Sequence, residues 1–120
     1  MNNFQQRGEV IRIPAAAAAI ASGQVVRIGN LLTVANHSAA IGEPVECNVK
    51  GVYALPKVSG AVIAQGETLV WDASAAAFDD NLATPAAGDL GGASAVAFEA
   101  AGAGVTSIAV LLTGTPGTLT

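Results

Sequence analysis

The chain contains one histidine and one cysteine, two side chains that can together form a catalytic nucleophile. His37 lies in the polar stretch ANHSA, and Cys47 lies in VECNVK. An imidazole beside a thiol can take its proton and activate it for attack on an electrophile. In VECNVK, however, Cys47 alternates with polar residues and shares the apolar face of a strand with Val45 and Val49. We therefore expect a buried thiol, a solvated His37 and no enzymatic activity.

Aspartates are the second group of residues with possible chemistry. Four of them lie in or near the stretch ASAAAFDDNLATPAAGDLGGAS: Asp72, Asp79, Asp80 and Asp89. Carboxylate oxygens are ligands for Ca²⁺, but this spacing matches no calcium-binding loop. We therefore expect solvated loop carboxylates, no bound metal and no cofactor.

Neither phosphate-binding loops nor clustered basic residues are present. The glycine-rich stretches GAGV (102–105) and GDLGGAS (88–94) lack the G-x-G-x-x-G frame, and no Gly-Lys-Ser/Thr sequence occurs. The net charge is −4. The five basic residues are scattered along the chain: Arg7, Arg12, Arg27, Lys50 and Lys57. Nucleic-acid binding needs clustered Lys and Arg, so we expect no nucleic-acid partner.

The composition indicates a surface with few charges. Charged residues make up 12% of the 120 residues, and hydrophobic residues, many of them alanine, make up 52%. The charged share is about half of the usual value. A surface of this kind predicts contact with a partner or with copies of the same chain. The length fits a single domain spanning residues 1–120.

Localisation follows from three further features of the sequence. A single cysteine cannot form an internal disulfide bond, which favours synthesis in a reducing cytoplasm. The polar start MNNFQQRGE predicts no signal peptide. Residues 100–120 carry no charge, but Gly, Thr and Pro interrupt them, so we expect no membrane span.

Short β-branched or alternating runs, separated by turn residues, predict about eight strands. They cover 9–13, 24–29, 31–36, 45–50, 51–56, 67–72, 94–100 and 106–112. A further short strand is expected near Ala76–Phe78, within a long loop region at 73–93. This pattern predicts a mainly β protein, a compact barrel or sandwich with little or no helix.

Gly-Glu or Gly-Gln recurs just before an apolar run, in RGEV (7–10), SGQVV (22–26), IGEPVE (41–46) and QGETLV (65–70). Glycine allows the turn and the polar residue can face water as the strand begins. We interpret these as four entries from loops into strands.

The run Ala15–Ala19 lies between Pro14 and Gly23, which resemble a helix start and a helix stop. A helix here would have about two turns and no polar face, so it would be marginal by itself. We expect an extended or irregular crossing between two strands, with a helix of one or two turns as the alternative.

Two features are candidates for contact with a partner. Trp71, the single tryptophan, is either an interface residue or an anchor of the core or its rim. The N-terminal arm, residues 1–7, either is frayed or becomes ordered against a partner with Phe4 as a plug. The candidate contact residues are therefore Asn2, Asn3, Phe4, Gln5, Gln6 and Trp71.

The stretch GEPVECNVKGVYALPKVSGAVIAQGETLVWDAS (42–74) resembles the central signature of the phage capsid cement family, whose members are sometimes labelled recombinase-like. The matching elements are Gly42-Glu43, Gly51-Val52-Tyr53, Leu55-Pro56-Lys57 and Gly66-Glu67 through Trp71-Asp72. The opening strands and the tail AVAFEAAGAGVTSIAVLL also fit. The chain departs from the family at LGGASAVAFEA and in the alanine-filled crossing. Both departures affect loops and packing, and the missing phosphate loop argues against recombinase chemistry.

The resemblance implies a structural decoration protein on the exterior of a phage head, made in the cytoplasm of the host bacterium. Its implied partner is the major capsid protein, whose neighbouring subunits it would bridge. We also expect self-association into a homo-dimer or a homo-trimer. The alternative is a small β-rich binding module of a virion, either a tail or baseplate accessory or a carbohydrate-binding head decoration.

Overall fold

A computed structural model describes residues 8–120, so the N-terminal contact candidates Asn2–Gln6 lie outside the described residues. These residues form eleven strands and no helix. The strands are β1 (Val10–Ile13), β2 (Val25–Ile28), β3 (Leu31–Ala35), β4 (Val45–Asn48), β5 (Lys50–Pro56), β6 (Val70–Asp72), β7 (Ala77–Asp79), β8 (Leu90–Gly91), β9 (Ala95–Ala97), β10 (Ser107–Thr113) and β11 (Thr118–Leu119).

The strands form three antiparallel sheets. The first has the order β1-β4-β3-β2, the second β5-β10-β9 and the third β11-β8-β6-β7. Although β4 and β5 are almost continuous in sequence, the chain changes from the first sheet to the second between them. Gly51, the second residue of β5, has a φ of +125°, a conformation that L side chains rarely adopt. The ring of Tyr53 also lies over Gly51, so that a Cβ at Gly51 would be only 3.0 Å from the Tyr53 hydroxyl.

One apolar core lies between the three sheets. Each sheet contributes side chains from its inner face, and the connecting segment 61–69 adds three more. The contributing residues are Val25, Leu32 and Val34 from the first sheet, Leu55, Ala95, Ala97, Ile108, Val110 and Leu112 from the second, Trp71, Phe78 and Leu90 from the third, and Ala61, Ile63 and Leu69.

A second, smaller core lies on the opposite face of the first sheet. Ala35, Val45 and Cys47 are buried there beneath the alanine crossing, together with Ala16 and Ala39. The crossing is irregular, as expected, and its backbone bonds explain why it is not helical. The Ala16 N–H donates to the Glu43 carbonyl at 2.8 Å, and Ile20 exchanges two such bonds with Ala39. These N–H groups therefore donate to carbonyls of a neighbouring segment and not to carbonyls one turn earlier in the crossing, as a helix would require.

The expected class, mainly β without helix, is confirmed, but two details are wrong. Within residues 8–120 the sheets do not close into a barrel, and three sheets around one core replace the two of a sandwich. Eleven strands occur where about eight were expected. Two of the additional strands, β8 and β11, have two residues each, too few for a readable hydrophobic pattern.

Four turns share one hydrogen-bond arrangement. In Ala40–Glu43, the Glu43 N–H donates to the Ala40 carbonyl and the Ala40 N–H donates to Glu43 Oε1. The third residue of each turn is a glycine whose φ lies between +82° and +92°, as a type II turn requires. The turns are Ala21–Gln24, Ala40–Glu43, Ala64–Glu67 and Ala86–Asp89. Three of these turns coincide with the strand entries predicted at SGQVV, IGEPVE and QGETLV. The fourth, Ala86–Asp89, was missed because the predicted pattern contained Glu or Gln after the glycine and this turn has aspartate.

Lys57 is a buried cation at the end of β5. It is 3% exposed, and its Nζ donates to three backbone carbonyls, those of Val58, Ser59 and Val105. The Lys57 N–H also donates to the Thr106 carbonyl at 2.9 Å. Lys57 thus joins the segment that follows β5 to the segment that precedes β10, and this accounts for a lysine after Leu55-Pro56.

We expect Lys57→Met to lower the free energy of unfolding by about 1–3 kcal/mol. Methionine fills a similar volume and avoids burying a charge, but it leaves three carbonyls without their donor. Chemical denaturation measures the change. The control is Arg12→Met, which removes an exposed cation from β1 and should change stability by less than about 0.5 kcal/mol. A Lys57→Met protein as stable as the wild type would contradict this role.

The turns provide a second matched comparison. Glu67 Oε1 accepts from Ala64, and Glu67 Oε2 also accepts from the Asn81 N–H at 2.9 Å, which fixes the following loop. Within residues 8–120, the Glu43 side chain accepts only from the Ala40 N–H. We expect Glu67→Ala to destabilise by about 1–2 kcal/mol and Glu43→Ala by about 0.5–1 kcal/mol. Thermal and denaturant unfolding measure both, and the reverse order would refute the loop-fixing role of Glu67.

Candidate functional site

The two candidate catalytic side chains do not form a nucleophile–base pair. Cys47 is fully buried in the second core. His37 is exposed, and both of its ring nitrogens contact backbone groups: Nδ1 lies 3.1 Å from the Ser38 carbonyl and Nε2 accepts from the Glu46 N–H at 3.3 Å. His37 therefore holds its own turn against β4, and the thiol is inaccessible to a substrate.

The four aspartates each organise the backbone of their own loop. Asp89 is buried and accepts the Ala73 N–H through Oδ1 and the Ala86 N–H through Oδ2. It thereby connects the two ends of the segment that contains β7. Asp79 and Asp80 accept from the N–H groups of Asp80 and Leu82. Residues 8–120 contain no group of three or more His, Cys, Asp or Glu side chains that could hold a metal ion.

Asp72 closes the loop between β6 and β7. Its Oδ1 accepts from the Ser74 hydroxyl at 2.8 Å, from the Ser74 N–H at 3.1 Å and from the Ala75 N–H at 3.2 Å. These bonds, the Ser74 hydroxyl first, hold the pKa of the Asp72 carboxyl below its ordinary value. They also support Ala76, which adopts a φ of +51° although it is not glycine.

Trp71 is largely buried, with 8% of its surface exposed, and belongs to the main core. Its ring meets that of Phe78 edge to face, with centroids 5.0 Å apart. Its accessible edge lines a cavity of about 420 Å³ between the first sheet, the end of β5 and the β6–β7 loop. The other lining residues are Gly23, Gln24, Val25, Pro56, Ala73 and Ala76. Among the described residues, no charged side chain lines the cavity, and contact of Trp71 with a partner stays a prediction.

The second sheet has an apolar outer face that the sequence analysis missed. In an antiparallel sheet with one face on the core, the other face is ordinarily polar. Here the outward positions at the centre of β5, β10 and β9 are apolar, and Val52 and Phe98 are 45% and 48% exposed. We call this the outer face, and it consists of Val52, Ala54, Val96, Phe98, Ala109 and Leu111. The available signal was SIAVLL, in which both alternating sets of residues are apolar or small.

The expected effect of Asp72 on stability follows from its lowered pKa. The carboxylate stabilises the folded state above the unfolded pKa, and this contribution is lost as the pH falls through the folded pKa. We expect wild type to be more stable than Asp72→Asn at neutral pH, with a difference that shrinks on acidification. Denaturant unfolding across this pH range measures it. In a Ser74→Ala background, which lacks the hydroxyl, the difference should be smaller at neutral pH; a pH-independent difference would contradict the assignment.

Comparisons with known proteins connect the chain to one protein family. Residues 8–120 include no helix of the length and apolarity that a membrane crossing requires. No significant match was found among curated proteins or among solved structures. The family model described as phage cement protein matches residues 5–112, which is most of the chain. This family is a structural one, associated with the virion capsid. The chain therefore belongs to the phage cement protein family.

Proposed function

We propose that this protein binds the outer surface of a phage head and stabilises the contacts between neighbouring major capsid subunits. The observation that supports this most directly is the family match, which extends over residues 5–112 and includes β1 to β9 and all of β10 except Thr113. The geometry is compatible with it, because Cys47 is buried in the second core, whereas His37 and the four aspartates bond to backbone groups.

Physical features of the chain suit repeated docking on a shell. Antiparallel sheets joined by hydrogen-bonded turns lose little conformational entropy when they bind. A surface with few charged side chains can pack closely with little cost of charge desolvation. Modest contacts then give a large total stabilisation because they are repeated over many sites on one particle.

The partners proposed are the major capsid protein and further copies of this chain, as a homo-dimer or homo-trimer. The residues proposed for contact are Asn2, Asn3, Phe4, Gln5, Gln6 and Trp71. The first five precede the described residues, and the accessible edge of Trp71 faces a cavity open to a partner side chain. Synthesis in the host cytoplasm, followed by assembly on the capsid exterior, fits the single buried cysteine.

We expect the purified protein to sediment with expanded phage heads that lack it and to saturate at a fixed number of copies per head. Its binding should also raise the temperature at which the heads release their DNA, because bridged subunits separate less easily. Density-gradient sedimentation and a fluorescence assay of DNA release measure the two effects.

The same experiment distinguishes the alternatives. Unexpanded heads and purified tails serve as controls, and Phe4→Ala tests the arm without changing any described contact. Binding to tails in preference to heads, or binding to heads that a free glycan abolishes, would replace the proposal with a tail-accessory or carbohydrate-binding role.

A further inference from the structure

We infer that the N-terminal arm of one copy docks along the outer edge of β2 in a neighbouring copy and places Phe4 in the cavity beside Trp71. This inference deepens the proposed function and rests on it only for self-association, because the contact is between copies and does not involve the capsid protein. The evidence is an edge strand with unpaired backbone groups, a cavity on each side of that strand, and the point at which the arm joins the fold.

β2 is an edge strand, the last in the order β1-β4-β3-β2. The Ala35 N–H donates to the Gln24 carbonyl, so Gln24 and every second residue after it direct their backbone groups towards β3. The backbone groups of Val25 and Arg27 therefore point away from the sheet. Within residues 8–120, no backbone hydrogen bond outside the sheets involves them. An extended segment of another chain can add to such an edge as a further strand.

A cavity lies on each face of the sheet beside this edge. On the face of the main core, the cavity of about 420 Å³ is lined by Trp71, Gln24 and Val25, and we call it the Trp71 cavity. On the face of the second core, a groove of about 370 Å³ is lined by β2 and by the crossing Ala15–Ala19, and we call it the alanine groove. Side chains of a strand alternate between the two faces. A strand added to β2 would therefore direct alternate side chains into the cavity and the groove.

The side chains of the arm suit these two sites. A cavity of about 150 Å³ is enough to hold a benzene ring, so the Trp71 cavity can hold the ring of Phe4 against the accessible edge of Trp71. With Phe4 on that face, Asn3 and Gln5 lie on the side of the alanine groove. The backbone groups of Ala17–Ala19 have no backbone partner among the described residues. Amide side chains can donate to and accept from such groups.

Charge also favours the arm as the occupant. Among the described residues, no charged side chain lines the Trp71 cavity, and the stretch Asn2–Gln6 is uncharged. The arm contains one basic residue, Arg7, and no acidic residue, whereas residues 8–120 contain four basic and nine acidic residues. A basic arm is therefore attracted to the net negative charge of a second copy.

The arm joins the fold too far from the Trp71 cavity of its own chain. Val10 and Val25 lie in one row across the first sheet, on opposite edges, about 14 Å apart. β1 and β2 run in opposite directions, so the arm leaves where β2 ends, whereas the cavity lies where β2 begins. These strand dimensions place Gly8 about 17 Å from Gln24, along a line through the packed strands. The four residues from Gly8 to Phe4 span at most about 14 Å. The cavity that Phe4 can enter is therefore that of a neighbouring copy.

Trp71 is the single tryptophan, so its fluorescence reports on this cavity. Sedimentation velocity and acrylamide quenching of Trp71 are measured on the full chain from micromolar to millimolar concentrations. We expect reversible self-association, with protection of Trp71 that follows the same concentration dependence. Phe4→Ala removes the ring and should weaken association by about tenfold or more. Phe4→Leu keeps an apolar side chain and should weaken it less.

Two complementary variants test whether the contact joins two copies. Ala73→Leu extends a side chain into the Trp71 cavity and should block it, while its arm is intact. The matched control is Ala75→Leu, in the same exposed loop but outside the cavity lining, which should associate like the wild type. Phe4→Ala and Ala73→Leu should each associate weakly alone. An equimolar mixture of the two should form a one-to-one heterodimer, because one variant supplies the arm and the other supplies the cavity. Unchanged thermal unfolding of each variant confirms that the monomer is intact.

Three results would overturn the inference: a Phe4→Ala protein that associates like the wild type, a mixture that associates no better than either variant alone, or a wild type that stays monomeric. A monomeric wild type in which Trp71 is protected at all concentrations, with protection lost in Phe4→Ala, would show that the arm occupies its own cavity.

Head binding separates this inference from the proposed function. If the wild type is monomeric and binds heads but Phe4→Ala does not, the arm contacts the capsid protein; the proposed function then stands and the contact between copies fails. If copies associate as expected but heads are not bound, the contact between copies stands and the capsid role fails.

Discussion

Every sheet in this protein depends on the one core that all three share. Most of the strands have two to five residues, and a short hairpin has little stability by itself in water. The inner faces gain their stability by burying Leu32, Leu112 and Phe78 against each other across sheet boundaries. Phe78 also supplies its carbonyl to the Val58 N–H, so the third sheet is bonded to the segment that leaves the second. Loss of one sheet would therefore expose the core faces of the other two.

The connections between strands are held by hydrogen bonds that do not require a helix or a large charged surface. The four Ala-x-Gly-acid/amide turns each satisfy their first N–H with the side chain of their last residue. The buried ammonium of Lys57 likewise donates to three backbone carbonyls, in the segments that follow β5 and precede β10. A chain with only 12% charged residues thus uses several of them inside its turns and loops. The side chains that remain on the surface are mainly small and neutral, which is compatible with close contact to other proteins.

Local features of the fold could be predicted from the sequence, whereas relations between distant segments could not. The β-branched runs located most strands to within one or two residues, although β6 and β9 proved shorter than expected. The Gly-Glu and Gly-Gln pairs marked three of the four turns. The irregular alanine crossing was the favoured prediction because a two-turn helix without a polar face would be marginal by itself. The division of β4 and β5 between two sheets depends on non-local pairing, which no hydrophobic pattern reveals. For the outer face, SIAVLL indicated that β10 is apolar or small on both sides, but the grouping of its outward residues with those of β5 and β9 depends on the same non-local pairing.

The order in which the second sheet is built has a consequence for synthesis on the ribosome. Its central strand, β10, pairs with β5 on one side and with β9 on the other. Leu55 pairs with Ile108, for example, so neither β5 nor β9 can complete its pairing until residues 107–113 have left the exit tunnel. Until then the nascent chain has unpaired apolar strands, which are prone to misassociation. Vectorial translation therefore delays the completion of this sheet until β10 has been synthesised, after the first nine strands.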